Sequence, residues 1–159
     1  MGWFKKDKEK NPVSDAAVLD LIKGATAVRH VEGFMEASLT MAAGFGMRSN
    51  MNMPLVQAFH FGVLDQCCRD LSLSAEATSF AMTVSVRDFE FPATGYKVTL
   101  DDEGFRRNAS SPEMARYAKM GGAAYHDFIA NSDNTAAIRL GRALLTSMEP
   151  PSLSIDHHE

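Results

Sequence analysis

The two cysteines of the chain stand side by side, Cys67 and Cys68 in the stretch HFGVLDQCCRD, with His60 seven residues before the first. Thiolate and imidazole are soft-metal ligands and redox or proton-transfer groups, so these three residues are the first candidates for a metal, small-molecule or thiol sensor. The spacing argues against one shared ion. On a helix, seven residues make nearly two turns, which puts His60 and Cys67 on one face but about 10 Å apart along the axis. Val56, Phe59, His60, Val63, Leu64, Cys67 and Leu71 form an apolar stripe on that face. The stripe turns Cys67 toward a core, where a free cysteine acts as a small hydrophobe. Cys68 is rotated to the flank beside Arg69 and is the better candidate of the two for exposure. A disulfide between neighbours closes almost no loop, so reduced thiols are expected.

Other groupings are weaker. His30 has Glu32 and Glu36 near it and His126 precedes Asp127, but helix neighbours point in different directions and make no acid-base pair by sequence alone. Met41, Met47, Met51 and Met53 would suit a soft ion, yet flexible methionines more simply fill gaps or cover an adaptable surface. Asp156, His157, His158 and Glu159 make an incidental metal-binding tail at most. The GFG at Gly44 lacks the third glycine of a dinucleotide loop, and MGGAAY lacks the Lys-Ser/Thr of a phosphate loop. The acidic DDEGFRRNASSPE has Phe105 where a calcium loop needs an oxygen, so a solvated turn is expected there. No cofactor is assigned.

The composition limits the classes further. Of 159 residues, 45% are apolar and 23% charged, an ordinary globular balance that predicts independent folding. The net charge of -4, with basic residues scattered except near the N-terminus, disfavours a nucleic-acid partner. Trp3, Phe4 and Lys5 allow a membrane contact, but a loose tail is preferred. No apolar run is long enough to cross a bilayer and no leader is recognised, so a cytoplasmic location is expected.

These candidates need helices to position them. The domain plan is a basic tail over 1–12, one helical domain over 13–149 and a second tail over 150–159. Ser14 caps a helix carrying Val18, Leu21, Ile22, Ala25 and Val28, which continues toward Gly44 either whole or broken near Gly33. A second helix is predicted from Met53 to Leu71. Ser74 caps the next segment, where residues 77–87 fit a helix or an alternating strand, helix being favoured for its cap. FEFPATGYKVTL reads as a hairpin or extended excursion over residues 89–100. Ser111 and Pro112 open a helix with Tyr117, Gly121, Tyr125 and Phe128 on its stripe, and a last helix runs from about Asp133 to the stop at EPP.

The expected fold is therefore mainly all-α, a compact bundle of five or six helices with a short excursion near residues 89–100 and antiparallel neighbours across short connections. Glycines inside the helices imply close helix approach. The excursion and the acidic segment after it carry Phe89, Phe91, Tyr96 and Phe105, the expected interaction surface. The functional expectation is a bacterial-type, non-enzymatic protein that works through protein-protein contact or homo-oligomer formation. The alternative is a sensor with a pocket between helices near His60, Cys67 and Cys68.

Overall fold

The computed structural model describes residues 14–43, 53–91, 95 and 97–148. Among them are six helices, α1 (Asp15–Ala43), α2 (Met53–Asp70), α3 (Ala75–Ser85), α4 (Asp102–Ser110), α5 (Pro112–Asn131) and α6 (Asn134–Met148). One antiparallel pair, β1 (Asp88–Glu90) and β2 (Lys97–Thr99), lies between α3 and α4. The fold is an all-α bundle carrying a small hairpin.

Local chemistry sets the boundaries. Ser74 accepts from the Ala77 amide, Asp101 from Gly104 and Ser111 from Met114, each occupying an orphan donor at a helix start. Residues 77–85 are helical, and the alternating pattern begins only with β1. Phe89 and Val98 face each other in the hairpin register, and Val98 and Leu100 are buried while Lys97 and Thr99 are exposed. That is the pleat expected of a strand with one face on a core.

Helix α2 is the central element. Its stripe is buried as far as Cys67, and Ala58, Phe61 and Gly62 on its other sides are buried too. Its closest partner is α5. A Cβ at Gly121 would meet the Phe59 carbonyl oxygen at 2.7 Å, and one at Gly62 would collide with the Ala118 backbone. Contacts from Phe59–Gly121 to Cys67–Tyr125 and Asp70–His126 advance together along both chains, so α2 and α5 run parallel. Helices α1 and α3 are also parallel, with Asp20 on Ser74 and Gly24 against Ala77. Neither pair is joined by a short connection, so the antiparallel expectation for such neighbours does not bear on them.

One open alternative is settled and three sequence expectations are corrected. Helix α1 passes through Gly33 without a break. Its apolar rhythm begins before the core does: Val18 is 43% and Ile22 55% exposed, and burial starts at Gly24 and Ala27. Leu71 lies just beyond α2 and is exposed. The acidic segment expected to be a turn is α4, because the Asp101 cap and the acidic first turn of Asp102 and Glu103 stabilise a helix start.

Candidate functional site

The structure distributes the sequence candidates into different surroundings. Cys67 is fully buried, and its Sγ accepts a 3.2 Å hydrogen bond from the Tyr125 hydroxyl. Burial pushes its thiol pKa up, partly opposed by that bond. Cys68, the better candidate of the two for exposure, is also buried, because the flank on which it lies is covered as well. Burial first, then the neighbouring Cys67, pushes its thiol up to about 11. Both sulfurs are free thiols with the environment of inert cysteines rather than nucleophiles.

His60 is wholly buried, and neither ring nitrogen has a hydrogen-bond partner among the described residues. Its ring lies 6.3 Å from Phe61 and 5.8 Å from Phe89, centroid to centroid. Desolvation, helped by Arg87, lowers its pKa to about 3, so the imidazole is neutral at physiological pH. Among the described residues no group of three or more His, Cys, Asp or Glu side chains is placed to hold a metal ion. Of the methionines, Met41 is exposed and Met53 half-buried, while Met47 and Met51 lie outside the described residues.

The expected aromatic surface divides. Phe91 is buried and Phe89 half-buried, because their rings pack edge to face at 5.1 Å with Phe89 turned onto His60. Phe91 is core rather than contact surface, and Phe89 packs against that core. Tyr96 lies outside the described residues, as do Trp3, Phe4, Lys5 and both tails. Phe105 on α4 is 42% exposed, its ring edge to face with buried Phe61 at 5.4 Å.

Phe105 belongs to a groove. Gly62, Ala118 and Gly122, where α2 and α5 approach closely, line a trough of about 650 Å³ together with Phe61 and Phe105. A second hollow of about 570 Å³ runs along α3, from Leu73 to Val86. Both hollows are lined by Met82 and Phe105, so the two adjoin at these side chains in one surface region across α3, α2, α4 and α5. Its first part carries a polar rim. Asp65 pairs with Arg69, Gln66 donates to Asp70 at 2.8 Å, and His126 Nδ1 lies 3.4 Å from Asp70. Lys119 and Asn108 complete that rim, and the buried Oδ1 of Asn108 has no donor among the described residues.

Two side chains hold α4 in place beside the groove. Gln57 Nε2 donates to the Thr99 carbonyl at 2.7 Å, and Arg107 Nη1 reaches Gln57 Oε1 at 3.4 Å. Gly104 leaves the space that the Gln57 amide fills. The signal that could have located this site was the Asp101-Asp102-Glu103 helix start with Arg107 four residues after Glu103. Comparison of the chain with protein-family models, curated proteins and solved structures finds no match. Among the described residues no helix is long and apolar enough to cross a membrane.

Proposed function

We propose that the protein is a non-enzymatic cytoplasmic contact protein that receives an amphipathic helix of a protein partner in the groove across α3, α2, α4 and α5. The observation that carries this reading is that the two hollows adjoin at Met82 and Phe105, side chains that line both. A helix laid in such a groove buries anchors on successive turns, and rim charges of both signs, Asp65, Arg69 and Lys119, fix its register. Phe105 is the anchor aromatic, exposed on one edge and supported by Phe61 on the other. Two free thiols suit a reducing compartment.

The test is a photo-crosslinking amino acid placed at Phe105 and, as a control, at exposed Ile129 on α5. The expected result is a protein captured at 105 and not at 129. Its crosslink maps to an amphipathic helical segment, and its affinity for the purified chain falls about tenfold with Phe105→Ala. Equal capture at both positions, or an affinity indifferent to Phe105→Ala, overturns the reading.

One observation favours a second reading, a small amphipathic ligand in the 650 Å³ part alone. That volume is ligand-sized, and it is lined by Asn108, whose buried Oδ1 has no donor among the described residues. Saturation-transfer NMR with a fragment library separates the two: fragments that bind wild type but not Asn108→Leu support the ligand, and none binding rejects it.

A further inference from the structure

Helix α1 is apolar on two opposite faces. One carries Gly24, Ala27, Val28 and Val31 into the bundle. The other, turned away from it, presents Val18 at 43%, Leu19 at 59% and Ile22 at 55% exposure. Contiguous branched aliphatics on the outer face of a helix mark an interaction surface. This face shares no residue with the groove.

The sequence of the face identifies what covers it. A two-fold interface is self-complementary, so each residue must meet a suitable counterpart from the same segment. With the axis at Ile22 and the helices antiparallel, residue i faces residue 44 minus i of the other copy. Asp15 then faces Arg29, seven residues to either side of Ile22, and the pair occurs twice. Both residues are exposed, and neither makes an ion pair among the described residues. Leu19 faces Ala25 and Val18 faces Thr26, large against small, the alternation that lets two helices approach. Opposite charges at equal distances on either side of an exposed aliphatic residue are what an antiparallel pairing of two like segments about that residue requires.

We propose that the outward face of α1 is a homodimer interface, two copies packed antiparallel about an axis at Ile22 with Asp15 of each paired to Arg29 of the other. This goes beyond the groove reading and stands or falls separately, because Phe105 lies on neither side of it.

Sedimentation velocity of the full chain over a micromolar concentration series tests it. The wild type is expected to sediment as a dimer, and Ile22→Asp as a monomer with an unchanged circular dichroism spectrum, since Ile22 points away from the core. Asp15→Arg and Arg29→Asp are each expected to weaken the dimer about tenfold or more by setting like charges opposite one another twice, and the double swap to restore it. A wild type that stays monomeric at about 100 µM, including one in which residues 1–13 cover the face, overturns the proposal. So does a dimer indifferent to Ile22→Asp, or a double swap that fails to rescue the singles.

Discussion

The Tyr125 hydroxyl donates to the Cys67 sulfur at 3.2 Å in the interface of α2 and α5. Each group is the other's polar partner in a place water does not reach, so the bond ties the two parallel helices rather than activating a nucleophile. The thiol is kept protonated by burial, and its pKa is raised. Neither cysteine is therefore expected to react with an aromatic disulfide reagent in the native protein, and both should react in denaturant. Tyr125→Phe is expected to lower stability by about 1 kcal/mol in urea titration without exposing Cys67. Rapid labelling of the native thiols would sink this account.

His60 makes stability depend on acid. Its folded pKa of about 3 lies below the unfolded value of 6.5, so between these limits the unfolded chain binds a proton that the folded chain refuses. Stability is then complete above about pH 6.5 and is lost progressively as pH falls toward 3. His60→Leu removes this linkage and also removes two buried nitrogens that have no partner among the described residues. The variant is expected to be at least as stable at pH 7 and to show a flatter acid limb in chemical denaturation between pH 4 and 7. An acid limb as steep as that of wild type would assign the proton uptake to other groups.

Most of the fold was legible because its signals are local. Ser74, Ser111 and Pro112 mark helix starts by their own chemistry, and Val98 and Leu100 mark a pleat by alternation. What was not legible depends on partners distant in sequence. Nothing near Val18 and Ile22 says that the core begins only at Gly24, and nothing near Phe89 says that the His60 ring of α2 will pack against it. The groove escaped for a different reason: Gly104 suggests a turn, whereas it is the space for Gln57 from a helix earlier in the chain.

Two glycines in helices should respond oppositely to alanine. Gly62 is set against the Ala118 backbone, so a methyl group there forces α2 and α5 apart. Gly62→Ala is expected to cost about 2 kcal/mol or more, an overpacking penalty in a contact that cannot relax through a side chain. Gly33 is exposed and has open space where a Cβ would stand. Gly33→Ala is expected to raise stability by about 1 kcal/mol through helix propensity alone. Thermal unfolding of the pair decides it, and two changes of the same sign would contradict the packing described.

Gln57 joins three elements with one side chain, donating to β2 at Thr99 and accepting from α4 at Arg107. Being nearly fully buried, it has no water to take over these roles when it is removed. Gln57→Leu leaves the Thr99 carbonyl and the Arg107 guanidinium without that partner and puts a branched carbon group against Gly104. The expected cost is about 1–3 kcal/mol. Because the lost bonds all lead to the hairpin and α4, hydrogen exchange should quicken in residues 97–110 and leave the α2–α5 contact protected. Phe105 rides on α4, so the same substitution should loosen the groove wall and weaken whatever binds there while Phe105 itself is unchanged. Uniform acceleration of exchange across all helices would instead make Gln57 an ordinary core residue with no particular hold on α4.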